Sequence, residues 1–228
     1  MNFINNQTSF VISLVLAIFL FLGCSNQNNS QKAGPIGHEP PSWSYDDTIY
    51  ELNVRQFSQE GTFNAVTERV TELNDLGVDI IWIMPIHPIG EKERKGELGS
   101  YYAVKDYTGI NPEFGTLEDF KKLVDTIHEH DMHVILDWVA NHTAWDHEWT
   151  ETNPEYYTKD ENGNFIPPVE DWSDVIDLNY DNEAMRQEMK NAMIYWVDEV
   201  DVDGYRCDVA GMVPVDFWKS VRKELDAV

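Results

Sequence analysis

Residues 202–211 read VDGYRCDVAG, a run apolar enough for a buried strand that nevertheless carries Arg206 and Asp208 two positions apart. Charged side chains are rarely buried unless paired. Positions i and i+2 of a strand share a face, so Arg206 and Asp208 project together, while Tyr205, Cys207 and Val209 project the other way. A neighbouring guanidinium favours the ionised form of a carboxylate. An ionised carboxylate at a strand end is a candidate nucleophile, although the spacing alone equally describes a structural ion pair. A second constellation, DWVANHT over residues 137–143, places Asp, Asn and His directly after another apolar run. Asp137 is placed to orient Arg206 from a neighbouring strand. Asn141 offers an amide oxygen to a hard cation, and His142 offers a hydrogen bond to a sugar hydroxyl. Alternation puts Asp137 and Asn141 on one face and His142 on the other, but the strand ends and turns here, so the face of each stays open.

The elements that must position these residues follow from periodicity. Residues 48–57, TIYELNVRQF, favour a strand. Val66, Val70, Leu73 and Leu76 recur at helical spacing, with Gly77 as the C-terminal cap. Residues 78–86, VDIIWIMPI, fit a strand covered on both faces. A polar loop from 87 to about 111 leads to Thr116 and Asp119, spaced as a capping box for a helix through Phe120, Leu123, Val124 and Ile127. Residues 132–139, MHVILDWV, form the next strand, and a polar, aromatic-rich excursion occupies 140–181. Met185, Met189, Met193 and Trp196 mark a third helix. The strand carrying Arg206 follows, then a helix through Phe217, Trp218, Val221 and Leu225. Strands alternating with helices, without adjacent strand pairs, imply about four parallel βαβ units. The pattern does not separate a closed barrel from an open sheet. No Gly-x-Gly-x-x-Gly or Walker-type phosphate loop occurs, which argues against nucleotide binding.

Across 228 residues, 16 basic side chains stand against 41 acidic ones, a formal charge of −25. Nucleic acid and anionic membrane surfaces are poor partners for such a chain, and a neutral substrate suits it better. The acidity is scattered, as on a solvated surface. Eight Trp and ten Tyr provide both core and the flat, polar-edged rings that sugar clefts use. Residues 10–24, FVISLVLAIFLFLGC, are apolar apart from Ser13 and suit a signal-peptide core, although no Lys or Arg precedes them. The ending Leu22, Gly23, Cys24 resembles the lipobox of bacterial lipoproteins. That resemblance implies a signal peptide over 1–23, lipidation of Cys24, membrane contact through the lipid alone and a place in the bacterial cell envelope. Residues 24–45 read as a tether, and the folded domain is expected over 46–228. Cys207 is then left without a disulfide partner and is expected to be a small core residue against a helix.

With these motifs in view, the chain resembles the α-amylase family of glycoside hydrolases. DWVANH is similar to the family's Asp-x-x-x-Asn-His signature after the third barrel strand, and GYRCD to its Gly-x-Arg-x-Asp signature at the fourth. Residues 100–116, SYYAVKDYTGINPEFGT, resemble the stretch leading into the third strand, and DVIDLN at 174–179 a looser fifth region. The resemblance covers about residue 48 onward. It implies an α/β fold, the N-terminal half of a (β/α)₈ TIM barrel, with a small inserted domain at 140–181 and a site at the C-terminal ends of the strands. It implies retaining chemistry on α-glucosidic bonds of an α-glucan oligosaccharide or polysaccharide. Asp208 matches the nucleophile and Arg206 its ionic partner. Tyr102, Asp137 and His142 match residues of the sugar pocket. Asn141 matches a calcium ligand of those members that bind calcium, with Asp177 a weaker candidate for the same ion. The family's general acid, a Glu after the fifth strand, and an Asp after the seventh have no counterpart before Val228. The expectation is therefore the N-terminal part of a longer enzyme, inactive by itself. A transglycosylase or isomerising relative, or a non-catalytic binding protein of this fold, is the alternative.

Overall fold

The computed structural model describes residues 40–228. The apolar run at 10–24, Cys24 and most of the tether lie outside the described residues. Chain contacts divide the protein into Met1–Tyr45 and Asp46–Val228. In the first unit the described part is a single 3₁₀ turn, Ser42–Ser44.

The second unit carries four parallel strands in one sheet: β1 (Ile49–Leu52), β2 (Ile80–Ile83), β3 (His133–Trp138) and, after a two-strand ladder, β6 (Gly204–Cys207). Their order in space is their order in sequence, β1-β2-β3-β6, each pair parallel. Helices link them: α1 (Val54–Phe57), α2 (Phe63–Thr67) and α3 (Val70–Asp75) precede β2, and α4 (Leu117–His128) precedes β3. The excursion after β3 holds β4 (His142–Ala144), α5 (Trp149–Thr152) and β5 (Val175–Asp177). Then α6 (Glu183–Val200) leads into β6, and α7 (Val215–Leu225) follows it. Four consecutive β/α units make this half of an eight-stranded barrel. Among the described residues no helix is long and apolar enough to cross a membrane.

Alternation along the strands sorts side chains into two faces. Leu52, Ile81, Ile83, Val134, Leu136 and Trp138 are buried in the main core with the helices. On the opposite face Ile49 is 57% exposed, and Trp82, Ile135 and Arg206 are only partly covered. The covered-on-both-faces reading of residues 78–86 therefore holds on the helix side and weakens at Trp82. The helix face is built as the periodicity required. Phe120, Leu123, Val124 and Ile127 of α4 are fully buried, as are Met185, Met189 and Trp196 of α6, with Met193 nearly so. At the start of α4, the Thr116 hydroxyl accepts from the Asp119 N–H at 3.2 Å, and the Asp119 carboxylate accepts from the Thr116 N–H at 2.9 Å, a reciprocal cap.

Three expectations need correction. The strand expected over 48–57 stops at Leu52, because Asn53 starts helix α1 and its carbonyl accepts from the Gln56 and Phe57 N–H groups. The helix expected through Val66 to Leu76 breaks at Arg69 (φ −113°, ψ 8°). Val66, Val70 and Leu73 are nevertheless buried on both sides of the break, whereas Leu76, past the end of α3 at Asp75, is 72% exposed. The excursion also contains an adjacent antiparallel pair, β4 with β5, where strand pairs were not expected.

The loop between β2 and α4 is anchored under the site. The Tyr107 ring stacks on Trp138 at 5.3 Å, and its hydroxyl lies 2.7 Å from the Val139 carbonyl and 3.0 Å from that of His142. It thereby pins both ends of the turn that carries Asn141. Tyr180 does the same from the other side, donating to the Ala140 carbonyl at 2.7 Å. A Tyr107→Phe variant removes the one hydroxyl proton that these two carbonyls share, so urea unfolding should show a loss of about 1–2 kcal/mol. Unchanged stability would show that the turn is held by other contacts.

Candidate functional site

Asp137 and Arg206 stand opposite each other in the β3–β6 register. The ladder runs one residue past β6, since the Asp208 N–H donates to the Trp138 carbonyl at 2.9 Å. Arg206 and Asp208 therefore share the face that Asp137 occupies. Arg206 Nη1 donates to Asp208 Oδ1 at 2.8 Å and to Asp137 Oδ1 and Oδ2 at 2.9 and 3.1 Å. The Asp137 side chain is fully buried and those of Asp208 and Arg206 are 16% and 35% exposed, so the network is closed at Asp137 and reaches solvent through Arg206 and, less, through Asp208.

Two further donors close on Asp137. The Tyr102 hydroxyl reaches Oδ2 at 3.1 Å, and the Trp82 indole N–H reaches the same oxygen at 3.2 Å. Trp82 also lies beneath Arg206, with the guanidinium carbon 4.8 Å from its ring centroid. Burial pushes the Asp137 carboxyl upward, and the Arg206 and Tyr102 donors oppose that rise. Burial, then the Asp137 charge, raises the Tyr102 phenol, so it stays protonated and donates. Burial works against the Arg206 charge, and the two carboxylates outweigh it.

Asp208, Tyr102 and His142 line one pocket of about 480 Å³, together with Lys95, Ser100, Trp172 and Asp174 among others. Alternation had left the face of His142 open, and the turn at 139–141 settles it by bringing His142 to the pocket with Asp208. Asn141 lies behind it, buried, with its side-chain nitrogen 3.3 Å from His142 Nδ1. Val209 follows Asp208 with φ +40°, a left-handed conformation that a β-branched residue adopts only under strain. The chain leaves the strand there, so the strain falls at the exit from Asp208.

Asp177 stays outside this pocket. It pairs with His142 across the β4–β5 ladder and accepts from the Thr158 hydroxyl at 2.7 Å; burial raises its carboxyl. Asn141 and Asp177 are oxygen donors of the kind calcium takes, but two fall short of the six to eight that it needs. Among the described residues no group of three or more His, Cys, Asp or Glu side chains is arranged to hold a metal ion. No step below involves a metal. Cys207 is half-buried rather than fully in the core, and burial pushes its thiol up to about 12, well away from nucleophilic use.

Trp82, Lys95, Trp172 and Asp174 were not singled out in the sequence. The parity of Ile80 and Trp82 along β2 carried a signal for the first: Trp82 is in register with Ile135, which shares a face with Asp137 two residues on. The other three come from loops, where no periodicity marks them.

Residues 25–172 and 170–225 match the family described as "Alpha amylase, catalytic domain". The chain is 30% identical over 206 residues to the alpha-amylase MalA of Haloarcula japonica, covering 81% of this chain and 28% of that protein. It resembles the crystal structure of an alpha-amylase from Lactobacillus plantarum with a TM-score of 0.77 and 49% identity, over 79% of this chain and 42% of that one. A maltogenic alpha-amylase, AmyB from Thermotoga neapolitana, gives a TM-score of 0.73 and 45% identity, over 78% and 42%. The chain thus spans well under half the length of these relatives.

Burial lowers His87, His142 and His147 to about 4. Their folded values lie below the unfolded value of about 6.5. The unfolded chain therefore binds more protons between these limits, and stability is full above about pH 6.5 and falls as pH drops toward 4. Each full shift corresponds to roughly 3 kcal/mol. Urea unfolding at pH 7, 6 and 5 should show a progressive loss that His147→Phe makes shallower. A flat profile would contradict neutral burial of these rings.

Proposed function

The chain belongs to the alpha-amylase family of catalytic domains, and from that premise we propose that it carries the nucleophile side of a retaining glycosidase acting on α-glucosidic bonds of α-glucans. The observation that carries this reading is the Asp137–Arg206–Asp208 network, its outer carboxylate opening on a pocket shared with Tyr102 and His142. Arg206 engages Asp208 Oδ1, which leaves Oδ2 for the anomeric carbon. Attack forms a glycosyl ester at Asp208 and expels the aglycone oxygen; a water or sugar hydroxyl later takes the sugar, giving hydrolysis or transfer. Tyr102 presents its ring beside the sugar while its hydroxyl stays on Asp137. Neutral His142 serves as a hydrogen-bonding wall.

The expelled oxygen needs a proton. Asp174 is the other carboxylate lining this pocket, and it is tied to Lys95 at 3.1 Å. The proton therefore has to come from outside this set, and the reading assigns to the chain the bond-forming step rather than the whole reaction. Export and lipid anchoring at Cys24 belong to the same proposal and rest on the residues at 10–24 alone.

The division suggests its own test. Fluoride leaves an anomeric carbon without being protonated, so 5-fluoro-α-glucosyl fluoride probes the nucleophile without the acid. Peptide mass spectrometry should find one fluoroglucosyl ester on Asp208 and none in Asp208→Asn. A label on another residue, or equal labelling of Asp208→Asn, would refute the assignment.

A further inference from the structure

Three donors converge on one oxygen of Asp137. Oδ2 accepts from Arg206 Nη1 at 3.1 Å, from the Tyr102 hydroxyl at 3.1 Å and from the Trp82 indole N–H at 3.2 Å. They are not equivalent. A hydroxyl can rotate to accept, whereas an indole N–H only donates. Trp82 therefore offers no acceptor to a protonated Oδ2, and it favours the carboxylate over the acid. Its ring meets a second partner, since the Arg206 guanidinium carbon lies 4.8 Å from the ring centroid. The backbone beneath is firmly held. Trp82 sits in an inner strand, in register with Glu51 of β1 on one side and Ile135 of β3 on the other. Its chain neighbours Ile81 and Ile83 point to the helix side and are fully buried. Asp208, Tyr102 and His142 line the reacting pocket, and Trp82 does not.

The two contacts act in the same direction. An ionised Asp137 keeps Arg206 on both of its oxygens, and a seated guanidinium keeps its further bond to Asp208 Oδ1. We propose that Trp82 is a positioning residue of the nucleophile: it acts through Asp137 and Arg206 to hold the Asp208 carboxylate in its attacking pose, without touching the sugar. This inference rests on the glycosidase reading above. The charges around Asp137 fix the sign of its pH dependence. Arg206 and Asp208 face it from β6, and Tyr102 from the loop after β2. Glu51, in register with Trp82, is exposed, and Cys207 projects from the other face. Burial already pushes the Asp137 carboxyl upward. Loss of the indole donor adds to that rise, so Asp137 takes up a proton and loosens Arg206 at a higher pH.

The test follows the rate of fluoroglucosyl labelling of Asp208 against pH, with calorimetric affinity for methyl α-glucoside beside it. Trp82→Phe keeps a ring under the guanidinium but has no N–H. It should move the acid limb of the labelling rate up by about one pH unit and leave the plateau within about threefold. Trp82→Leu removes the ring as well and should also lower the plateau about tenfold. Both should bind methyl α-glucoside within about twofold of the wild type. Ile135→Ala shortens the residue in register with Trp82 and removes none of the Asp137 donors, so it should keep the wild-type limb. Trp82→Phe, the milder change, decides the matter even if Trp82→Leu does not fold. An unmoved limb in Trp82→Phe overturns the proposal. So does an equal shift in Ile135→Ala, which would mean that packing of this face sets the limb. Sugar affinity that falls in step with the rate overturns it too, because Trp82 would then shape the pocket itself. In each of these cases the wild type still labels and the glycosidase reading stands. A wild type that takes no label on Asp208 overturns both.

Discussion

A carboxylate removed from water is the constraint around which this site is organised. The Asp137 side chain has no exposure, and burying a charge without partners is costly enough to unfold a local region. Three groups meet that demand: the Arg206 guanidinium, the Tyr102 hydroxyl and the Trp82 indole. Each is thereby fixed, and each has a second task. Arg206 reaches on to Asp208, Tyr102 faces the pocket, and Trp82 supports the guanidinium from below. Asp137 touches no solvent, yet it determines where Asp208 sits.

The scaffold makes this arrangement possible by treating its two sheet faces differently. Aliphatic and aromatic residues on the helix side are packed to completion, while the other face keeps its charged residues at the C-terminal ends of β3 and β6. The turn after β3 is held from outside by Tyr107 and Tyr180, whose hydroxyls occupy carbonyls that a loop would otherwise leave bare. Precision at His142 depends on those two phenols as much as on the strand. The left-handed Val209 then takes the chain abruptly away from Asp208, a local strain that a relaxed strand end would lack.

Much of this was legible because it is local. The Thr116–Asp119 cap, the buried stripe of Met185, Met189, Met193 and Trp196, and the shared face of Arg206 and Asp208 are all set by spacings of two to four residues. Where the helix stops, spacing fails: α3 ends at Asp75, and Leu76 beyond it is exposed. The turn at 139–141 likewise defeats alternation for His142. Strands β4 and β5 are three residues each, too short for alternation to register. The Lys95–Asp174 pair and Trp172 depend on how two long loops meet, a property carried by tertiary packing and not by any window of sequence.

The claim beneath the whole account is that Asp137 and Arg206 act as a unit, and a double-mutant cycle measures that directly. Asp137→Asn, Arg206→Met and the double variant would be compared by urea unfolding at pH 7. The account predicts that each single change strands a buried charge or its partners, so the pair couples by about 1.5–3 kcal/mol. Additive losses, agreeing within about 0.5 kcal/mol, would mean that Asp137 does not hold Arg206, and the positioning of Asp208 would need another cause.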